Sequence, residues 1–518
     1  MNLRCNILGM LIVVGAATMA LPQDSSNQAA EQPAPNPQQE PVPAYGQDNS
    51  LPATMENPPL SGLDTPSLEP HAAPLSYLQP GATFSQSADS NAANSLGGEQ
   101  SFTSVTRGFG NLTLRRLWSN YDLGIEYQGG VGYYSKHGQG VKLLQEMNLD
   151  QRIKWRRGQL ALRDSFSYLP EGNFGGSSGS SASLSGGSIA NTPLGVLLGG
   201  SVLGTFGLIP RISNVSVADV SESLSPKSTV TALGGYAFTH FYGSDAATGS
   251  AFIGVSEVSA QAGYNRILNR HSQIALVYAY QGFDFSVLGS AFHNHVIQGM
   301  YGHRISGRMD LLLGAGPQIT ESELPCTDAD LLLGNPHCSI SQSGTPVGSI
   351  PDSKIGVSAL ARLRYRFTKT SVSLTYTRSI TSGSGLFAGA QSDIVRLSAE
   401  RPLSRVWTAF VDIGFAHSER LQSLSTEQLS HCSVPGQPNP NNLPACPGVN
   451  ANHYTDGYIG GGVHRAFGHN FHGFLSYQFA ELSLDHSFCG GLPQCNRISH
   501  RQIVTLGVDW TPRPIRID

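Results

Sequence analysis

Residues 354–367 read KIGVSALARLRYRF. Ile355, Val357, Ala359, Ala361, Leu363, Tyr365 and Phe367 take every second position, while Ser358, Arg362, Arg364 and Arg366 fall between them. A period of two sends alternate side chains to opposite faces of an extended chain, so this is a strand pattern and not a helical one. The same alternation puts Ile274, Leu276, Tyr278 and Tyr280 on one face of IALVYAY (274–280). From about residue 121 onward, segments of this kind follow one another, and a short turn recurs between pairs of them. It is seen in HRISGRMDLLLGAG (303–316), RILNRHSQIALVYAY (266–280), YRFTKTSVSLTYT (365–377), RPLSRVWTAFVDIGF (401–415) and HRAFGHNFHGFLSYQF (464–479). Connections at the opposite strand ends are uneven, and the longest are 169–208, 324–353 and 421–453.

Only 13% of the residues are charged, against about 25% in ordinary soluble domains. Much of the surface therefore does not face water. In a bilayer an open sheet edge leaves a row of backbone N–H and C=O groups without partners, so strands can span only as a closed barrel. Apolar-out, polar-in alternation with short turns at one end and long loops at the other is the pattern of a transmembrane barrel. The expected fold is thus all-β: a closed antiparallel transmembrane barrel over 121–518. Sixteen strands are assigned, the first at 121–135 and the last at 496–510, with both barrel ends on the short-turn side. The stretch GNLTLRRLWSNYDLG (110–124) also looks like a strand and turn. Adding it requires a further strand for parity and gives eighteen, the alternative count; at sixteen, 103–115 is a periplasmic or lumenal segment.

These features together resemble bacterial outer-membrane β-barrel proteins of the porin-like kind. The closing strand RQIVTLGVDW (501–510) looks like the terminal strand that barrel-assembly machinery recognises, although TPRPIRID follows Trp510 here. The resemblance implies an outer-membrane location, contact with outer-membrane lipid and lipopolysaccharide, and the assembly machinery as a partner. Aromatics near strand ends, among them Tyr133, Trp155, Tyr168, Trp407 and Trp510, suit the two membrane interfaces.

Ahead of the barrel, Arg4, the apolar run ILGMLIVVGAA (7–17) and TMA (18–20) form a signal-peptide pattern, giving residues 1–20 an export role. Residues 21–120 follow as a Pro/Gln/Ser-rich disordered or periplasmic segment. No apolar period is present in 21–100, so a tether is expected there, with a lumenal plug or a partner-binding arm as alternatives. Beyond Cys5, six cysteines form three close pairs: Cys326 with Cys338, Cys432 with Cys446, and Cys489 with Cys495. An exported chain meets an oxidising compartment, so local disulfides are expected in the long loops, ahead of metal binding by the adjoining His337 and His431.

A barrel this wide has room for an aqueous lumen. The alternation turns Asp122, Glu126, Glu146 and Asp150, mixed with Arg152 and Lys154, inward on the early strands, and Arg304, Arg362, Arg364, Arg366 and Arg396 inward on the middle ones. Acidic and basic walls would select solutes by charge; lumenal ion pairing is the plainer alternative. The expected function is a passive channel for small polar solutes. The alternatives are a surface barrel whose disulfide-pinned loops bind a ligand, polymer or partner, and an exporter of a polymer. A net charge of -4 argues against nucleic acid. No motif for catalysis, metal or a cofactor is present. His293 and His295 of HNH (293–295) share a face without a third ligand, and the glycines of GYIGGGVHRAFG (457–468) fit close barrel packing rather than phosphate binding.

Overall fold

A computed structural model describes residues 59–62, 76–91, 102–135, 140–169, 211–241, 253–285, 290–326, 331, 336–340, 346–383, 387–421, 451–486 and 497–517. In chain order its strands are β1 (Tyr77–Asp89), β2 (Thr103–Leu117), β3 (Tyr121–Tyr134), β4 (Gly140–Trp155), β5 (Gly158–Leu169), β6 (Arg211–Ser225) and β7 (Ser228–Phe241). Next come β8 (Val255–Ile267), β9 (Ser272–Phe285), β10 (Ser290–Ser306), β11 (Met309–Pro325), β12 (Cys338–Ile340), β13 (Pro346–Arg366) and β14 (Ser371–Thr381). The last are β15 (Ala390–Pro402), β16 (Trp407–Arg420), β17 (His453–Phe467), β18 (Phe471–Leu484), β19 (Ile498–Trp510) and β20 (Ile515–Arg516). Each long strand pairs antiparallel with its neighbours, and β1 pairs with β19 from Ala82↔Trp510 to Asp89↔Ile503, so the sheet closes. β12 pairs only with β13, and β20 only with the start of β1. The wall therefore has eighteen strands, the twenty less these two short ones.

Sixteen of the eighteen lie close to the assigned segments. The preferred count of sixteen is corrected to the alternative of eighteen by β1 and β2, and the wall begins at Tyr77 rather than at residue 121. β2 is the strand-like stretch set aside as periplasmic or lumenal. β1 carries few large apolar residues: its outward positions are Leu78, Pro80, Ala82, Phe84, Gln86 and Ala88, and its inward row is mostly small and polar. Partners on both sides hold it in place where its own composition would not. The tail after Trp510 is also part of the seam. Pro512 and Pro514 cannot donate ladder hydrogen bonds, which ends β19. The chain then turns so that Ile515 and Arg516 pair with Leu78 and Tyr77.

Eight connections of two to four residues join strands at one end, as the recurring turns indicated. Gly468, in the turn between β17 and β18, has φ +77°, where a residue with a Cβ is strained. The longer connections lie at the other end. There Cys326 and Cys338 form a disulfide, the first of the three expected bridges. Cys432, Cys446, Cys489 and Cys495 lie outside the described residues, as do residues 1–58 with the signal-peptide pattern.

Register shows how the period of two becomes an inside and an outside. Leu363, Leu374, Leu397, Ile413, Ile459 and Phe479 are successive cross-strand neighbours on β13 to β18, and all turn outward. One residue away runs the inward stripe Arg362, Thr375, Arg396, Gly414, Tyr458, Ala480 and Arg501. Ile355 is 82% exposed and Leu374 41%, whereas Arg362 is 4% exposed. Exposed large apolar side chains cover the outside of the wall, with Trp155, Trp407 and Trp510 at the short-turn end. Arg465 lies over the Trp407 ring at 5.2 Å, a cation–π contact suited to a membrane interface.

This facing gives a paired test. Leu374→Arg should destabilise the barrel by about 2–4 kcal/mol if that stripe lies near mid-bilayer, while Thr375→Arg is tolerated. Denaturant titration in lipid vesicles reads both; equal losses would contradict the facing of β14.

Candidate lumenal site

The inward face is the place where this fold can act on a solute. Alternation brings charged residues there, and register decides which of them meet. Arg364 on β13 stands opposite Asp310 on β11, and its Nε donates to Asp310 Oδ1 at 3.0 Å. Arg396 on β15 donates through Nη2 to Asp412 Oδ2 on β16 at 3.0 Å, and the Tyr458 hydroxyl donates to the same carboxylate. On the other side of the ring, Arg115 of β2 donates to Asp122 of β3 at 3.1 Å. Asp150 of β4 accepts from Arg152 of its own strand and Arg163 of β5, each at 3.1 Å.

At the seam, Arg501 of β19 forms a bidentate pair with Asp89 of β1, with Nε donating to Oδ2 at 3.0 Å. The side chains are 4% and 1% exposed, so this pair is sheltered from water. Charge-assisted bidentate bonds of this type fix geometry as well as adding energy.

The lumenal candidates read from the sequence lie on the inward face. Asp122 and Glu126 are on β3, Glu146, Asp150, Arg152 and Lys154 on β4, Arg304 on β10, Arg362, Arg364 and Arg366 on β13, and Arg396 on β15. In ring order β3 and β4 are eight or nine strands from β13, so the two groups stand on opposing arcs. The structure does not bring the groups together. Arg364, Arg396, Asp122 and Asp150 each pair within their own arc. Glu126 and Glu146 have no ion-pair partner among the described residues, and Lys142, Arg152 and Lys154 share the inward row of β4, so acidic and basic groups are mixed on this arc as well.

Sequence reasoning named neither Asp310 and Asp412 nor the seam pair. All four share the inward parity, which the alternation shows; which arginine each aspartate meets depends on strand register, which it does not.

The interior is not polar throughout. Ala275, Val277, Met300, Leu312 and Leu360 form a buried apolar patch on β9 to β13. Gly462 faces inward where a Cβ would come within 2.8 Å of the Phe410 ring, the close packing expected of the β17 glycines. His293 and His295 turn outward on β10 and take hydrogen bonds of 2.9 Å with the hydroxyls of Tyr280 and Tyr278. Among the described residues no cluster of three metal-binding side chains occurs.

No family model and no curated protein matches the chain. Among solved structures it is similar to OccK2 (OpdF) of Pseudomonas aeruginosa, crystallised with glucuronate, at 8% identity and TM-score 0.38 over 86% of this chain and 98% of that one. A BenF-like porin of Pseudomonas fluorescens Pf-5 matches at 9% identity and TM-score 0.38, over 85% and 99% of the two chains. OprD of Pseudomonas aeruginosa matches at 8% and 0.36, over 85% and 95%.

Breaking one half of the seam pair leaves a sheltered charge alone, which costs about 3–5 kcal/mol. Asp89→Ala should therefore lower the unfolding midpoint sharply, and Asp89→Leu with Arg501→Met should recover most of the loss. Heat-modifiable mobility of folded against unfolded protein on gels reads the difference; a single variant as stable as the parent would contradict the pair. For the loop, peptide mass spectrometry without reductant should recover Cys326 joined to Cys338. Reducing it should loosen that loop by about 3 kcal/mol while the barrel stays folded.

Proposed function

We propose that the protein is an outer-membrane barrel that lets small polar solutes diffuse passively through its lumen. The observation that carries this reading is a pair of adjacent stripes: a continuous apolar row faces out on β13 to β18, and a row with Arg362, Arg396 and Arg501 faces in on β13 to β19. Guanidinium groups are costly against lipid, and a wet or ion-paired interior is where they belong. An eighteen-stranded wall exceeds the size at which side chains alone fill the interior. The inward charges then line the path. The paired ones offer alternating donors and acceptors rather than one strong field, which suits polar solutes of either sign.

Planar-bilayer recording tests this reading. Purified protein should give ohmic conductance. Arg364→Glu sets a second carboxylate beside Asp310 and should shift the reversal potential toward cation selectivity. Silent bilayers with a folded barrel would count against a channel. Conductance whose selectivity ignores the substitution would keep the channel and remove Arg364 from its lining.

A further inference from the structure

Far from β1 in ring order, four residues that precede it in sequence sit against the inner wall. Pro59–Gly62 form a tight turn closed by Gly62 N–H donating to Pro59 O at 3.1 Å. At its tip Ser61 is 1% exposed and engages three inward residues of β7 and β8. Its N–H donates to Asn265 Oδ1 at 3.1 Å, and its carbonyl accepts from Gln261 Nε2 at 2.7 Å. Its hydroxyl shares a hydrogen with Thr231 Oγ1 at 2.5 Å and accepts from Asn265 Nδ2. Backbone N–H, backbone C=O and side chain of one residue are all satisfied by the wall.

The wall is also shaped for this turn. A Cβ at Gly263, between Gln261 and Asn265 on the same inward face, would overlap the Ser61 side chain. A Cβ at Gly302 of β10 would come within 2.8 Å of Leu60 Cδ2. Leu60 packs on the apolar interior patch of Ala275, Val277, Met300, Leu312 and Leu360, which a water-filled lumen would otherwise leave wet. All these contacts lie in the half of the barrel nearer the short turns, since Asn265 and Thr231 are each within a few residues of a turn.

We propose that Pro59–Gly62 is an in-barrel latch: a peptide ligand supplied by the chain itself, seated in a site on β7–β13 and narrowing the lumen at its short-turn end. The site recognises peptide chemistry, with a branched aliphatic side chain in an apolar socket beside one residue held through its amide, carbonyl and hydroxyl. The gating part rests on the diffusion-channel reading; the docking part does not.

A double variant, Ser61→Cys with Thr231→Cys, tests both parts in the full-length protein. Oxidation should join the two cysteines, read as a cross-linked peptide by mass spectrometry. The cross-linked barrel should hold a low, steady conductance that rises on reduction, with wild type under the same reductant as baseline. Gly263→Val, which crowds the seat, and deletion of 59–62 should each raise conductance about twofold or more, because a narrowed section dominates the resistance of a pore. Failure to cross-link in a folded barrel would overturn the docking. Cross-linking with equal conductance in the locked, reduced and deleted forms would overturn the latch as a constriction. Cross-linking with no current in any form, the deletion included, would overturn the channel reading and the gating with it, leaving only the docked segment.

Discussion

Everything in this molecule depends on backbone pairing that leaves no free edge. A flat array of these strands would expose two rows of amide groups, each costing several kcal/mol in hydrocarbon. Pairing β1 with β19 removes both rows at once. The demand is strong enough to recruit a strand of weak intrinsic preference, β1, and to stitch the tail onto its first two residues. The sheltered Asp89–Arg501 pair lies at the other end of the same seam, so contacts at both ends guard the one place where the ring is joined.

Closure makes the period of two decisive. Once there is an inside, each odd or even position is committed, and a one-residue slip would carry Arg362, Arg396 and Arg501 into lipid. The aspartates on adjacent strands work toward the same register. Asp310 meets Arg364 and Asp412 meets Arg396 only in the observed pairing. The ion pairs therefore have two effects: they hold register, and they set the charge texture of the interior.

That division explains which parts were legible in the sequence. Facing could be read because it is local: KIGVSALARLRYRF carries its own alternation, and the inward arginines were placed from it. The short turns marked strand ends for the same reason. Register, and with it the partnership of Arg396 with Asp412, depends on connection geometry that composition does not encode. β1 escaped notice because Phe84 is the one aromatic on its outward face and Pro80 interrupts the run. The seat of Ser61 was hidden differently. Nothing in PLSG marks it, and the signals that answer it, Gly263 and Gly302, are two glycines among 59.

The wall closes between β1 and β19, with the polar row of β1 turned inside. Ser87 and Thr505 are register partners across that seam, with hydroxyl oxygens 3.0 Å apart. Replacing both with cysteine and oxidising the protein in lipid vesicles measures the closure directly. Cross-linking between residues 87 and 505 should be near complete in a barrel that keeps its folded mobility on gels. A folded barrel in which the two cysteines stay free, with residues 76–117 released by protease, would contradict the closure.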